Sequence, residues 1–378
     1  MDSTITKEDI LQYTLLGREA GYKALEHEII FKDLCCGCGV CEAVCPDNVI
    51  KVNEFPELVG KCTDCGYCLV QCPRSYFSQR DAEEKLFGEV VEEPLGHVVK
   101  KIGVKAKGRG FTGVQDGGFV TAAIKYALKN GIIDGAVVSG VDKDNRWRPV
   151  ARLVTSERNV ASTSGTRYSN SPNLAALKEA REKGLKKLAV VGLPCQIEGV
   201  RKLEDYPIAD VDLAGRIKFT IAIFCSSNFM YDGLMNRLVS KKYKVPISRI
   251  SKMDIKGKNV LVFTGKKKTE IPLKEAYEER REACRVCTDF SGRLSDFSAG
   301  AVGSPNGYSS VFARTNKASR LLTKMIKAGV FETIKLKDER PGLEIARALQ
   351  NKKEREAIKY TRERIRNEVP LPFKSLKF

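Results

Sequence analysis

The sequence predicts an α/β or α+β protein in which a small cysteine-rich unit precedes a larger domain built on a mixed sheet. The chain has 378 residues, enough for two or three domains with real cores. Nine of its 13 cysteines fall within residues 31–80. From about residue 101, helical stretches alternate with short buried strands, as in α/β domains.

Composition narrows the functional classes. The formal net charge is +18, and 42% of the residues are hydrophobic, too many for a disordered polyelectrolyte. The apolar runs are far shorter than the roughly 18 residues of a membrane helix, and the N-terminus lacks the features of a secretory signal. We therefore expect a cytoplasmic protein that does not span a membrane. Thirteen cysteines in a reducing compartment indicate metal, cluster or redox use, whereas 2 histidines make His-based zinc sites poor candidates.

The front of the chain divides into three parts. Apolar residues at helical spacing between positions 8 and 30 predict an amphipathic helix, so residues 1–30 are expected to pack on a domain or a partner. The cysteine-rich unit occupies 31–80. Residues 81–108 are charged and contain Pro94, which predicts a linker.

The larger domain is expected over residues 109–335. A helix over 119–129 is amphipathic and ends at Asn130-Gly131, a natural stop. The other predicted elements are strands over 135–141, 188–193 and 217–224, a helix over 173–183, and a β-hairpin over 250–275 with its turn at 265–268. Residues 336–378 are expected to be a charged tail with a helix over 341–369. A solvated face is the main interpretation of that helix, and a docking surface is the alternative.

Eight of the cysteines form a repeated motif, C-x2-C-x2-C-x3-C-P, at 35–46 and 62–73. The first three cysteines of such a motif bind three irons of one cubane. The fourth cysteine of the motif binds an iron of the other cluster. We therefore expect a bacterial-type 2[4Fe-4S] ferredoxin module with crossed ligands: Cys35, Cys38, Cys41 and Cys72 for one cluster, and Cys62, Cys65, Cys68 and Cys45 for the other. Structural zinc is the weaker alternative, because the repeat is more regular than tandem zinc sites require. Cys36 is predicted to be unliganded.

The other four cysteines suggest a third [4Fe-4S] site. Cys195 and Cys225 follow predicted strands, where open α/β sheets place their sites, and Cys284 and Cys287 form C-x2-C. Taken alone, that pair also fits half a zinc knuckle, a redox dithiol or chance. A nucleophilic role for Cys195 is disfavoured, because its sequence neighbourhood supplies no obvious base.

Several longer motifs resemble a known family. They are QDGGFVTAAIKYALKNGIIDGAVV (115–138), SGTRYSNSPNLAALKEA (164–180), VVGLPCQIEGVRKL (190–203), IAIFCSSNF (221–229) and CRVCTDFSGRLSDFSAGAVGSPNGYSSVFART (284–315). Residues 109–314 resemble the beta subunits of coenzyme F420-reducing hydrogenase, a family that includes the beta subunits of F420-dependent formate dehydrogenase and the F420H2-oxidising input subunits of F420H2 dehydrogenases. The resemblance implies FAD, one [4Fe-4S] cluster in the α/β domain, and the deazaflavin F420 as substrate.

Three polar loops are candidates for holding FAD and F420, since no G-x-G-x-x-G fingerprint follows a predicted strand. The first precedes the 119–129 helix, whose free amides favour a pyrophosphate. The second loop, over residues 164–169, supplies a cation. The third loop, over residues 298–310, has small residues that allow close approach to a ring. Ordinary turn chemistry is the alternative for the first two. The candidate residues are Gln115, Asp116, Gly117, Gly118 and Thr121; Ser164, Gly165, Thr166, Arg167, Tyr168 and Ser169; and Gly303, Ser304, Gly307 and Tyr308. Asp289, Asp296 and Arg314 are expected to add polar groups beside the ring.

The resemblance implies a flavin and iron-sulfur electron-input subunit. Hydride would pass between F420 and FAD, and single electrons would pass through three [4Fe-4S] clusters to a partner complex, such as a membrane dehydrogenase, hydrogenase, formate dehydrogenase or heterodisulfide reductase. No side-chain acid or base is required. Two alternatives are a ferredoxin-driven reductase of another organic substrate, as in the related hydroxymethyl-chlorophyll reductases, and a non-enzymatic polyferredoxin-like adaptor.

The basic charge fits an anionic substrate. F420 carries a phosphodiester and a glutamate tail, and Lys101, Lys105, Lys107 and Arg109 are candidate contacts for them, with a solvated basic strand as the alternative. Nucleic-acid binding is disfavoured, because the basic residues are spread along the chain and no binding module is evident. The expected location is the cytoplasm, with peripheral attachment to the cytoplasmic membrane face through a partner.

Overall fold

A computed structural model describes residues 21–108, 116–145, 147–208, 212–340, 342–367 and 373–374. The α-helices are α1 (Gly21–Leu25), α2 (Val40–Val44), α3 (Tyr67–Val70), α4 (Gln79–Phe87), α5 (Phe119–Lys129), α6 (Glu157–Val160), α7 (Ala176–Glu182), α8 (Pro194–Asp205), α9 (Leu273–Glu278), α10 (Asn316–Lys327) and α11 (Gly342–Arg366). Glu26–Ile30 and Asp232–Lys242 are π-helical, and 3₁₀ turns lie at Ala161–Thr163, Asn173–Ala175, Ala214–Arg216, Ile247–Arg249, Glu282–Cys284 and Leu336–Asp338.

The strands of the described residues form four sheets. They are β1 (Ile50–Val52), β2 (Pro56–Leu58), β3 (Tyr76–Phe77), β4 (Lys100–Ala106), β5 (Gly135–Val141), β6 (Pro149–Val154), β7 (Leu188–Gly192), β8 (Ile217–Ile223), β9 (Lys252–Lys256), β10 (Asn259–Thr264), β11 (Lys267–Pro272), β12 (Phe297–Gly300), β13 (Ser309–Ala313), β14 (Phe331–Ile334) and β15 (Phe373–Lys374). The smaller sheets are β1-β2, β15-β3 and the antiparallel β11-β10-β9.

The small N-terminal unit repeats its cysteine motif in three dimensions. α2 and α3 occupy the same place in the two motifs, and each begins after a left-handed glycine, Gly39 (φ 89°) and Gly66 (φ 75°). β1 pairs antiparallel with β2, so that Ile50 lies opposite Leu58. The core beneath them includes the buried side chains of Leu25, Leu34, Ile50 and Leu69.

The larger domain is built on an eight-stranded mixed sheet with the order β14-β4-β13-β12-β8-β7-β5-β6. β12, β8, β7 and β5 are parallel, whereas β6 and β13 run antiparallel to their neighbours. Every residue of β7 is buried, as expected for a central strand covered on both faces. The predicted fold class is confirmed.

Most predicted elements of this domain are present. α5 and β5 have the predicted bounds, while β7 and β8 each end one residue earlier than predicted. The predicted helix over 173–183 is a 3₁₀ turn followed by α7. The predicted β-hairpin is a sheet of three strands, because a second turn at Gly257 (φ 59°) separates β9 from β10.

The predicted linker over 81–108 differs from the structure at both ends. α4 covers its start and is capped by Ser78, whose Oγ accepts from Asp81 N at 3.2 Å. β4 covers its end and lies inside the large sheet, between β14 and β13. The charge that indicated a linker is partly neutralised by tertiary contacts, such as that between Arg293 Nε and Glu83 at 2.8 Å.

The charged C-terminal helix is present as α11, but a solvated face describes only part of it. Ala346, Gln350 and Ala357 are buried along one side. Gln350 Oε1 accepts from Phe290 N at 2.9 Å, and its Nε2 donates to Thr288 O at 2.8 Å. α11 therefore packs on the segment that carries Cys287.

The predicted N-terminal helix is described only from residue 21. Residues 21–30 are helical, and residues 1–20 lie outside the described part of the chain. Within the described ranges, no helix combines the length and apolar character needed to cross a bilayer.

Candidate iron-sulfur and flavin sites

The thiols of the first predicted cluster lie around one space. Cys35, Cys38, Cys41 and Cys72 all line one pocket, together with Cys36. Its other walls are mainly apolar and include Leu25, Ile29 and Val52. A thiol-lined, largely water-excluded cavity suits a cubane held by four cysteines.

The thiols of the second predicted cluster are also neighbours. Burial raises the pKa of Cys65, and the nearby Cys45 and Cys62 thiols raise it further. Burial also raises the pKa of Cys68, and the Cys65 and Cys62 thiols raise it further. Cys62 and Cys65 are half-buried, so this set lies closer to the surface than the first.

The third set comes together at one edge of the large sheet. Cys195 lies in the first turn of α8, just after β7, and Cys225 follows the adjacent parallel strand β8. Carboxyl ends of neighbouring parallel strands meet at one edge, so these thiols approach each other. Cys225 has Cys284 and Cys287 as neighbours, and Cys195 has Cys287.

Backbone amides already point at several of these sulfurs. Such N–H···S bonds stabilise thiolate charge and are among the features that set the potential of an iron-sulfur cluster. They run to Cys35 Sγ from Gly37 N (3.4 Å), to Cys62 Sγ from Asp64 N (3.4 Å), to Cys72 Sγ from Arg74 N (3.4 Å) and to Cys284 Sγ from Asn228 N (3.3 Å).

The arrangement of the thiols can be compared with what a single metal ion and a cubane each require. No three Cys, His, Asp or Glu side chains of the described residues converge closely enough to hold one metal ion. A cubane does not need such convergence, because each thiolate binds a different iron. Burial raises the pKa of Cys35 and of Cys225 to about 12, and binding to iron would reverse that effect by deprotonating the thiol.

Cys36 lies between the first and third sets. Its thiol hydrogen-bonds with those of Cys195 and Cys38, which lowers the pKa of Cys36 and raises that of both partners. The sequence marks Cys36 only as a spare thiol. Its position shows that the first and third sets are close together.

The first candidate flavin loop, before α5, lies at the same edge of the sheet. β4 runs in the same direction as β12, since both are antiparallel to β13, and its carboxyl end therefore shares that edge. Gly117 packs against the backbone of Val104 and Ser309, and its N donates to Ser309 Oγ at 3.1 Å. Gly118 (φ 67°) begins α5 without a side-chain cap. Thr121 is buried in the first turn of α5, and Gln115 lies outside the described residues.

The second loop, residues 164–169, closes on itself. Arg167 Nη1 donates to Ser164 O at 3.2 Å and to Gly165 O at 3.1 Å. Thr166 is the residue between Gly165 and Arg167. Burial and the nearby carboxylates of Asp254 and Asp116 raise the pKa of Tyr168. Tyr168 of the second loop and Asp116 of the first therefore both lie near Asp254 of β9. Ser169 bridges to Phe229, a few residues after Cys225.

The third loop follows β12. Gly303 (φ 93°) and Gly307 (φ 82°) adopt left-handed conformations, and Ser304 Oγ donates to Ala301 O and Tyr308 O at 3.0 Å each. The Tyr308 hydroxyl donates to Glu332. Beside the loop, Ser310 is fully buried, and its Oγ has no hydrogen-bond partner among the described residues. An unsatisfied buried hydroxyl at this edge fits a site that accepts a polar ligand.

Three predicted polar groups prove to be structural. Asp296 is fully buried and accepts from Thr220 N at 2.9 Å, while Asp289 accepts from Gly292 N at 2.8 Å and from Arg293 N at 2.9 Å. Arg314 is fully buried and donates to two serine hydroxyls and three backbone carbonyls. These bonds brace the sheet, and the assignment of the three residues beside the ring stays a prediction.

Three of the four basic residues predicted to contact the F420 tail lie within the described residues. Lys101 and Lys105 lie in β4, and Lys105 Nζ is 5.8 Å from the ring centroid of Tyr308. Lys107 follows β4, and its N donates to Val330 O at 2.9 Å. Arg109 lies outside the described residues.

Comparison with known proteins assigns the family. Residues 104–178 and 185–339 match the N-terminal and C-terminal parts of the coenzyme F420 hydrogenase/dehydrogenase beta subunit. The chain is 36% identical over 260 residues to the coenzyme F420 hydrogenase beta subunit of Methanothermobacter thermautotrophicus, covering 68% of this chain and 92% of that one. The chain belongs to the family of coenzyme F420 hydrogenase/dehydrogenase beta subunits.

Other relatives agree with this assignment. One is a chain of the F420-reducing [NiFe] hydrogenase complex from Methanosarcina barkeri, solved as a xenon derivative, with a TM-score of 0.70, 34% identity, and coverage of 73% of this chain and 95% of that one. The coenzyme F420-dependent sulfite reductase of Methanocaldococcus jannaschii is 36% identical over 318 residues, which is 80% of this chain but about half, 48%, of the reductase. Residues 28–51 match a 4Fe-4S binding domain.

Sequence reasoning missed the cations around the thiols of this beta subunit. Lys353 on α11 donates to Cys225 O at 2.6 Å and to Asp289 O at 2.8 Å. Lys202 on α8 donates to Cys72 O at 2.7 Å. Arg281 Nη1 donates to Cys35 O at 3.2 Å. Nothing local distinguishes Lys353 in a charged helix, so only the tertiary contacts identify it.

Proposed function

We propose that this beta subunit exchanges hydride between F420 and FAD and passes single electrons through three [4Fe-4S] clusters to a partner complex. The observation that carries the proposal is the closeness of the first and third thiol sets, which meet at Cys36. Beside the third set lie the candidate flavin loops, at the same edge of the sheet. The flavin loops, the third thiol set and the first thiol set would therefore form one continuous route for electrons.

The proposed cluster ligands are the three thiol sets described above. Cys35, Cys38, Cys41 and Cys72 would hold the first cluster, within their shared cavity. Cys45, Cys62, Cys65 and Cys68 would hold the second. The third would be held by Cys195, Cys225, Cys284 and Cys287. The half-buried second set is the proposed exit to the partner, because electron transfer between proteins needs a cluster near the surface.

FAD would bind at the loops around α5. Bound FAD would supply the conversion between a two-electron hydride and single electrons. The free amides after Gly118 suit a phosphate, and the Arg167 guanidinium adds a positive charge. Gly303 and Gly307 leave room beside a ring, and Ser310 Oγ offers an unused polar group. The role of these residues is to bind and orient, so that the reacting atoms meet in near-attack geometry.

F420 would approach from the side of β9 and β4. Lys252 and Lys256 flank Asp254 on β9, close to Asp116, and Lys105 lies beside Tyr308. Exposed lysines at the mouth of a site steer an anionic phosphodiester and glutamate tail towards it. The proposed partner is an electron-accepting complex in the cytoplasm or on the cytoplasmic membrane face, such as an F420H2 dehydrogenase.

The test is an anaerobic assay on the full chain, reconstituted with iron, sulfide and FAD. F420H2 oxidation is followed by deazaflavin absorbance with a viologen acceptor. Turnover that disappears when FAD is omitted supports the proposal. FAD and about twelve irons bound without turnover would instead favour a ferredoxin-driven reductase of another substrate. Failure to retain FAD after reconstitution would favour an electron-transfer adaptor.

A further inference from the structure

Arg74 is a buried cation between the first and third thiol sets. Its side chain and that of Glu198 are each 1% exposed, and Arg74 Nη1 lies 3.3 Å from Glu198 Oε2. Arg74 follows Cys72-Pro73 in the second cysteine motif, whereas Glu198 lies on α8, one turn after Cys195. The pair therefore joins the ferredoxin-type unit to the larger domain.

The Arg74 guanidinium is incompletely hydrogen-bonded. Its Nε and Nη1 have no hydrogen-bond acceptor within the described part of the chain. A buried N–H group without an acceptor lowers the stability of the fold. The presence of such groups on Arg74 therefore needs an explanation. The charge neighbours of Arg74, besides Glu198, are the thiols of Cys36, Cys287 and Cys195. Its own backbone N donates to Cys72 Sγ at 3.4 Å.

The other buried cations differ in what they contact. Lys353 bonds to the backbone beside the third set, and Lys202 bonds beside the first. Arg281 also lies between sets, but both of its terminal nitrogens donate to carbonyls, of Cys35 and Glu54. Arg74 combines the two features: it is close to thiols of both sets, and two of its nitrogens lack an acceptor.

We propose that the Arg74 guanidinium raises the reduction potential of the third cluster relative to the first, and so sets how an electron is shared between them. A cubane gains one negative charge on reduction, and a buried cation nearby stabilises the reduced form. The guanidinium lies beside the thiols of Cys287 and Cys195 in the third set, and its ion pair with Glu198 holds it against α8, one turn after Cys195. In the transfer itself, one electron leaves the third cluster and reduces the first, and no bond is made or broken.

This inference rests on the cluster ligands of the proposed function, and its test is independent of FAD and F420. The reconstituted full chain is titrated with dithionite and redox mediators while EPR follows each cluster. Wild-type protein with about twelve irons and three cluster signals establishes the ligand assignment first. F420H2 turnover is measured separately, so failure of the flavin chemistry leaves the potentials interpretable.

Arg74→Gln removes the charge and keeps a polar side chain. At fixed ambient potential, the reduced-to-oxidised ratio of the third cluster should fall about tenfold, equivalent to about 59 mV for one electron, with a smaller change at the first cluster. Arg74→Lys should restore most of the ratio. Arg201→Gln is the matched control: Arg201 is also a buried, ion-paired arginine, on α8, but it bonds to Glu204 and Leu294 O. It should leave both potentials unchanged.

Glu198→Gln tests the same idea with the opposite sign. Removing the counter-charge while keeping Arg74 should raise the potential of the third cluster, and loosened packing would not reverse the sign in this way. If Arg74→Gln does not load iron, this variant decides alone. Unshifted potentials in an iron-replete Arg74→Gln or Glu198→Gln protein, or equal shifts in Arg201→Gln, would overturn the inference.

Discussion

The surroundings of Cys284, a proposed cluster ligand, favour the charged form of its thiol. Its sulfur accepts from Asn228 N at 3.3 Å, and the cations of Lys353 and Arg281 oppose the rise in its pKa that burial causes. Thiolate charge is thus compensated by the backbone of one segment and by side chains of two others. Such compensation favours the deprotonated form that a metal requires.

Replacing this thiol tests the third cluster. Cys284→Ala should lower the iron content by about four per chain and leave two cluster signals in EPR, because the ferredoxin-type sets keep all their ligands. Cys36→Ala is the matched control, as its thiol lies between sets and belongs to neither. It should retain the full iron content. Unchanged iron in the Cys284 variant would remove the third cluster from the proposed route.

Arg314 illustrates a charged residue used for structure. Its Nη1 donates to Leu95 O at 2.6 Å and to His97 O at 3.0 Å, and its Nη2 donates to Ser291 O at 3.1 Å. Burial lowers the pKa of Arg314 to about 10. The guanidinium thereby ties the segment before β4 to the loop before β12.

Arg314→Met should lower the free energy of unfolding by about 3–5 kcal/mol, because several buried acceptors lose their donor. Denaturant unfolding followed by circular dichroism measures this. Arg340→Met is the control, since Arg340 is exposed and, within the described ranges, bonds to Lys337 O and Glu339 O. Its change should stay within about 0.5 kcal/mol. Equal losses in the two variants would contradict a bracing role for Arg314.

At the scale of elements, the beginning of α2 shows how the two units join. Gly39 has φ 89°, and an added Cβ would lie 2.5 Å from Pro172 O and 2.7 Å from Ala175 N. Leu174 N also donates to Cys38 O at 3.0 Å. The first cysteine motif and the 3₁₀ turn before α7 are therefore in backbone contact, which only glycine permits.

Gly39→Ala should destabilise the protein more than Gly131→Ala. Both positions have positive φ, so both variants bear the cost of about 1–2 kcal/mol for a left-handed alanine. Only Gly39 meets backbone atoms, because an added Cβ at Gly131 has nothing within 4 Å. The difference in unfolding free energy should be about 1–3 kcal/mol. Equal midpoints in denaturant would show that the backbone contact yields easily.

Individual elements also show what local pattern can predict. α5 and β5 were predicted with the right bounds because an amphipathic stretch, an Asn-Gly stop and an apolar run are local signals. β4 was assigned to a linker, with a solvated basic strand as the alternative, because it is rich in lysine. Its place in the sheet depends on pairing with β13 and β14, which lie far along the chain from it. Such pairing has no local signature.

At the scale of the whole molecule, the two units share a core. Val40, Ala43 and Val44 of α2 pack in one apolar cluster with Leu174 and Leu177 of the larger domain. The contact buries a face of α2 that would otherwise be exposed to water. We therefore expect the ferredoxin-type unit and the larger domain to unfold together.

Leu177→Ala tests this coupling. Leu177 is fully buried in the shared core, and truncation should cost about 2–5 kcal/mol. The iron-sulfur absorbance and the circular dichroism should lose their signals at the same, lower denaturant concentration. Leu322→Ala is the matched control, equally buried on α10 but in a core that belongs to the larger domain. A cluster signal that stays at the wild-type midpoint in both variants would show independent unfolding.

The sequence by itself determined the repeated cysteine motif, the mixed α/β fold class and the family, because each depends on short runs of residues whose spacing carries the signal. The tertiary structure decided which groups surround the thiols. Arg74, Lys353 and Cys36 come from different segments, and their closeness to the third set depends on how α8, α11 and the first motif pack. The electrostatic environment of a buried site is a sum over distant parts of the chain, and only the folded arrangement determines it.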